Sequence, residues 1–281
     1  MAVTEIALTL GPDQNLVGVL TPPFGPPKGI AVLLLNAGVV HRIGPHRMSV
    51  KIARHLAQQG YTAMRFDTSG VGDSRAPSDA AIYARQALLD IRAVMDYLER
   101  ERGLKRFALF GICSGANRSY ETAATDGRVA GVFMFDGYVY PTFRNSLINY
   151  ALRARRMTLG RLPAAIARHT RLAASWLSSA LGRQEMAGAA PAQASRPTRE
   201  EYADTMQKMA DRGVQVSMMF SGSVFHEYSY AGQLRDAFGK HGFIDRIACH
   251  HAPETDHLVS SLMAQRRLIE LVDDWIARIP H

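Results

Sequence analysis

Arg106-Phe-Ala-Leu-Phe-Gly-Ile-Cys-Ser-Gly-Ala-Asn117 joins an apolar run to a helix-compatible segment through Gly111-Ile112-Cys113-Ser114-Gly115. A nucleophile on a sharp strand-to-helix turn needs small residues two positions before and two after it, because the strained backbone brings those positions into contact. Gly111 and Gly115 meet that need around Cys113. Around Ser114 the same positions would be Ile112 and Ala116, and the β-branched Ile112 would sit where almost no side chain fits. The frame therefore selects the thiol. At a helix N-terminus, free N–H groups and the helix dipole favour a thiolate and can donate to an oxyanion. The expected chemistry is covalent catalysis through sulfur, which calls for a base, and a histidine on a separate loop is the usual partner.

The elements that must hold such a turn alternate along the chain. Residues 5–10 and 16–20 alternate in polarity as a pair of edge strands, and residues 29–35, 61–66 and 129–135 are short apolar runs of the kind buried on both faces. Residues 214–220 and 244–251 complete the strands. Residues 48–59 and 80–102 repeat apolar positions at helical spacing, and a helix follows the Cys113 turn to about residue 124. Thr198-Arg-Glu-Glu201 has capping-box spacing and predicts a helix to about Arg212. Residues 234–240 and 258–279 predict two more. Alternating strands and helices call for a mostly parallel sheet with helices on both faces.

Leu35-Asn-Ala-Gly-Val-Val-His-Arg-Ile-Gly-Pro45, Arg65-Phe-Asp-Thr-Ser-Gly-Val-Gly-Asp-Ser74 and the Cys113 turn together resemble the α/β-hydrolase superfamily, with cysteine where most members carry serine. The resemblance runs nearly end to end apart from a middle insertion. In finer texture it is similar to bacterial hydrolases found beside exosortase and exopolysaccharide systems. It implies an α/β-hydrolase fold with core over residues 1–140 and 199–281, and an inserted basic helical lid and linker over 141–198. It also implies an oxyanion loop at Asn36–Val40, with the N–H of Gly38 or Val39 as one donor and that of Ser114 as the other. His257 follows the last strand and comes after Cys113, matching the superfamily's order of nucleophile, acid and histidine. His250 and His251 belong to the strand itself. Superfamily members usually carry the acid at the place filled here by Val224. Glu227, three residues on, is preferred if its loop bulges, ahead of Asp136 at the end of the preceding strand; Asp256 is the sequence neighbour of His257 and points elsewhere. His41 and His46 adjoin the oxyanion loop; either is expected to line the pocket, His41 as the substrate-binding candidate, with a helix-capping or surface role as the alternative. Residues 67–74 form a bend rather than a phosphate loop, since no G-K-[ST] ending follows.

Of the 281 residues, 47% are hydrophobic and 21% charged, the balance of a globular protein. No apolar run approaches a membrane span of roughly 20 residues, and no basic leader with an apolar core opens the sequence, so the expected location is cytoplasmic. Two cysteines make no disulfide framework. No His/Cys/Asp cluster has metal-ligand spacing, and no cofactor is expected. The net charge of +8 is local: residues 141–184 hold eight arginines and no Asp or Glu. That excludes a nucleic-acid recognition fold and points to phosphopantetheine or CoA thioesters, sugar acids or an anionic lipid surface. An amphipathic helix at 161–182 is expected to pack as a lid, with a membrane-lying helix as the competing reading. The function these residues support is acyl hydrolysis or transfer from a small-molecule or carrier-bound thioester or activated ester through an acyl-cysteine. The alternative is a catalytically inactive member of the fold serving as a binding or membrane-surface subunit.

Overall fold

The computed structural model of the chain describes residues 3–77, 83–156 and 196–280. Eight strands form one sheet: β1 (Ile6–Leu10), β2 (Leu16–Thr21), β3 (Ile30–Leu34), β4 (Thr62–Phe66), β5 (Arg106–Ile112), β6 (Val129–Phe135), β7 (Gln215–Ser221) and β8 (Ala248–Ala252). Their order across the sheet is β1-β2-β4-β3-β5-β6-β7-β8. β2 pairs antiparallel with both β1 and β4, and every later pair is parallel. All parallel strands therefore deliver their C-terminal ends to one rim, where open α/β sheets place their chemistry.

Helices cover both faces. α1 (Met48–Gln58) and α7 (Leu262–Ile276) lie on one, burying Ile52, Leu56, Leu268 and Trp275 against Val32, Phe110 and Phe133. On the other, α2 (Tyr83–Arg102), α3 (Ser114–Thr125), α5 (Arg199–Asp211) and the short α6 (Gln233–Phe238) bury Leu98, Tyr120, Tyr202 and Phe238 against Leu33, Leu109 and Met218. β3 and β4 are buried at every residue, as strands covered on both faces must be. α4 (Phe143–Arg156) lies between β6 and α5 in the chain. α5 starts with the expected capping box: the Glu201 N–H donates to Thr198 Oγ1 and the Thr198 N–H to Glu201 Oε2.

Two boundaries differ from the sequence reading, for identifiable reasons. The final strand begins at Ala248; Gly242–Asp245 is a 3₁₀ turn whose Phe243 and Ile244 are buried beside α5, with Gln207 Oε1 accepting the Phe243 N–H. Buried apolar residues in a tight turn look like strand to a pattern search. The final helix begins after Ser261, whose hydroxyl accepts from the Ala264 N–H, because Val259 takes a positive φ of 55° that breaks the helical path before it. α4 falls within the 141–198 segment expected to be a basic helical lid, although the only helix the sequence reading placed there was at 161–182. The expected helix at 161–182, and all but the last two residues of the 188–197 linker, lie outside the described residues.

Candidate active site

Cys113 sits between the last residue of β5 and the first of α3 with φ 57° and ψ −119°, the strained turn that the glycine frame predicts. A Cβ at Gly111 would stand 2.1 Å from the backbone carbon of Gly115, and one at Gly115 would stand 2.6 Å from the Asn36 carbonyl oxygen. Neither position admits a side chain, because the atoms it would meet are backbone. The Cys113 N–H donates to Phe135 O at 2.8 Å, tying the turn to the end of β6.

His257 comes from the loop between β8 and α7, and its Nδ1 lies 2.7 Å from Asp136 Oδ2. The Asp136 side chain is fully buried and adopts a positive φ of 50°. Ser221 fixes the carboxylate from the end of β7: its N–H donates to Oδ1 at 2.7 Å and its hydroxyl to Oδ2 at 2.6 Å. Ser223 Oγ accepts the His257 N–H, and the Phe135 ring stacks against the imidazole at 6.2 Å between centroids. The bond to Asp136, then that to Cys113, pushes the His257 pKa up to about 10. The same imidazole, chiefly as a hydrogen-bond partner, holds the Cys113 thiol below its usual range against the opposing effect of burial; the Ser114 N–H helps and the charge of Asp136 opposes. A thiolate beside an imidazolium is the charge state this arrangement favours.

The preference for Glu227 as the acid is corrected. The loop after β7 does not bulge toward His257. It tightens into a 3₁₀ turn at Gly222–Val224, pinned by the Gly222 N–H donating to Thr255 O, and the Glu227 carboxylate faces Arg196 at 3.7 Å. Asp136 takes the Nδ1 position. Asp256 accepts from the N–H groups of Leu258 and Ser260 and braces its own loop.

The loop expected to serve the oxyanion carries an unexpected contact. The Gly38 N–H donates to the Ser114 hydroxyl at 2.7 Å, while Val39 projects outward and is largely exposed. The loop is held by a buried network the sequence reading missed. Asp67 at the end of β4 accepts from Asn36 Nδ2, from the Arg42 N–H and from the Arg42 guanidinium, and Asn36 Oδ1 accepts the Thr68 N–H. The sequence signals were the stretches at 35–45 and 67–74, and the bonds that join them span more than 20 residues. His41 belongs to this network, with its Nε2 2.8 Å from Arg42 Nη1 and 3.3 Å from Asp73 Oδ2, so it braces the loop. His41, Asp67 and Asp73 approach one another as metal ligands can, but the Arg42 guanidinium already bonds all three. A cavity of about 340 Å³ lies beside the Ser221 and Ser223 supports, between Asn149, Leu152 and Arg153 of α4 and Gly222, Phe225 and His226.

The comparisons agree with this architecture. A family model described as the alpha/beta hydrolase fold matches residues 32–217. An α/β serine hydrolase without a lid from Xanthomonas campestris is similar with a TM-score of 0.59 at 15% identity, covering 100% of this chain and 98% of that one. An esterase from Pyrococcus furiosus gives 0.56 at 12%, covering 98% and 91%, and a proline iminopeptidase from Mycobacterium smegmatis 0.52 at 16%, covering 98% and 99%. No curated protein matches the chain in sequence.

Proposed function

The chain belongs to the α/β-hydrolase fold family, and from that premise we propose that it performs acyl hydrolysis or transfer through a covalent thioester on Cys113. The observation that carries this reading is the chain of contacts from a depressed-pKa thiol through His257 to a buried, doubly anchored Asp136. The Cys113 thiolate attacks the acyl carbon, a C–S bond forms, and the carbonyl π pair moves onto oxygen. The Ser114 N–H at the start of α3 donates to that oxyanion, and the Ser114 hydroxyl, which itself accepts from the Gly38 N–H, donates its own proton to it. The tetrahedral intermediate collapses, and His257 Nε2 gives its proton to the departing group. Neutral His257 then takes a proton from water or another acceptor whose oxygen attacks the acyl carbon, and Cys113 leaves as thiolate, restoring the ion pair.

Thiolate chemistry narrows the substrate. Attack on an ordinary ester must expel an alkoxide, a poorer leaving group than the thiolate that competes with it. Attack on a thioester exchanges like for like. Acyl-CoA, carrier-bound acyl thioesters or activated esters are therefore the favoured substrates, held by His257 and the two oxyanion donors. A screen of acyl-CoA and p-nitrophenyl esters against wild type and Cys113→Ala tests the proposal: turnover that survives intact in the variant sinks it. The empty acid position at Val224 would have favoured a non-catalytic subunit, but Asp136 supplies the carboxylate from another strand.

A further inference from the structure

α4 is inside out for a helix in water. Its amide side faces the protein: Asn145 Nδ2 donates to Ser229 Oγ at 2.9 Å and Asn149 Nδ2 to His226 O at 2.7 Å, with Asn145 almost wholly buried. Its apolar side faces outward. Phe143, Leu147 and Tyr150, spaced four and three residues apart, are 80%, 52% and 67% exposed, and Ala154 continues the same stripe. A surface helix normally shows the reverse arrangement. Arginines flank the stripe: Arg144, stacked over the Tyr230 ring, and the exposed Arg153 and Arg155. No acidic residue occurs anywhere from 141 to 184.

We propose that α4 is a docking surface for an anionic lipid bilayer, lying in the interface plane with Phe143, Leu147 and Tyr150 entering the acyl boundary and Arg153 and Arg155 meeting lipid phosphates. Charge complementarity selects this occupant. A second copy of the same chain would bring an equally cationic, acid-free stripe against this one, whereas an anionic membrane supplies both the apolar phase and the negative charge. Among the described residues no helix is long and apolar enough to cross a membrane, so the contact is peripheral. It would hold the rim carrying Cys113 and His257 near lipid, and it does not depend on the catalytic reading.

Cosedimentation of the full chain with phosphatidylcholine vesicles, with and without phosphatidylglycerol, tests the surface. Binding is expected only with the anionic lipid and should weaken as salt rises. Arg153→Gln with Arg155→Gln should lower partitioning about thirty-fold, and Phe143→Ser with Tyr150→Ser about tenfold or more. Thermal melting and Cys113 alkylation of each variant establish that the fold is intact. No binding by wild type, equal binding to neutral vesicles, or binding untouched by either pair overturns the proposal. A wild-type dimer that the Phe143/Tyr150 pair converts to monomer, without vesicle binding, assigns the stripe to a second copy and overturns it too.

Discussion

The chain's two cysteines stand in opposite settings. Cys113 ends a central strand, starts a helix and faces an imidazole that draws its pKa down. Cys249 lies within the edge strand β8, where burial pushes its thiol up to about 11 and its nearest polar partner is the Tyr228 hydroxyl at 3.3 Å. One has the setting that favours a thiolate and the other that of a small apolar residue. The residue type is the same; the strained turn, the helix end and the His257–Asp136 pair make the difference.

The sharpest contrast is substitution at the two sulfurs. Cys113→Ala should lower kcat/KM by about 10⁴-fold or more, whereas Cys249→Ala should leave it within about twofold and cost about 1–2 kcal/mol in denaturant unfolding. Gly111→Ala removes the setting and keeps the sulfur. Its Cβ meets the Gly115 backbone, so a loss of about 3 kcal/mol or more is expected in the same assay, and any folded fraction should show a Cys113 titration closer to that of an unassisted thiol.

Asp136→Asn weakens the charge that sustains the imidazolium. Activity should fall about a hundredfold, less than the ~10⁴ of a serine triad, because a thiol relies less on the third member. The His257 pKa is raised from 6.5 to about 10, so its pairing stabilises the fold fully below pH 6.5 and fades as pH climbs through about 10. The difference in Tm between wild type and Asp136→Asn should therefore be largest near about pH 6 and shrink toward about pH 10. Ser114→Ala takes away the acceptor of the Gly38 N–H, and a fall of about tenfold in kcat with Ser114→Thr retaining more activity is expected from steady-state kinetics. Glu227→Gln should change kcat/KM by less than about twofold, since its carboxylate faces Arg196 and solvent.

The strained turn at Cys113 was legible in the sequence because its evidence is local: two glycines at fixed offsets, an apolar run before and a helix after. The places of the core strands along the chain were legible for a similar reason, since continuous apolar runs such as 29–35 have few other uses in a chain of this class. The acid was not. Choosing Asp136 over Glu227 depends on which of two neighbouring strand ends approaches His257, and that is decided by the tight turn at Gly222–Val224 and by Ser221 holding the Asp136 carboxylate across 85 residues of sequence. The Asn36–Asp67–Arg42 network was hidden likewise, because each bond spans a long loop closure. The bounds of α4 escaped within the expected helical segment because its apolar stripe faces away from the core, so the expectation that apolar residues point inward gave no reason to place it.

The rate of Cys113 alkylation by iodoacetamide as a function of pH, with the modified residue identified by peptide mass, measures the thiolate population directly. The wild-type protein should titrate below the ordinary thiol value of 9.0, with Cys249 unmodified, and His257→Ala should bring Cys113 back up. An ordinary thiol titration at Cys113, unchanged in His257→Ala, would contradict the account.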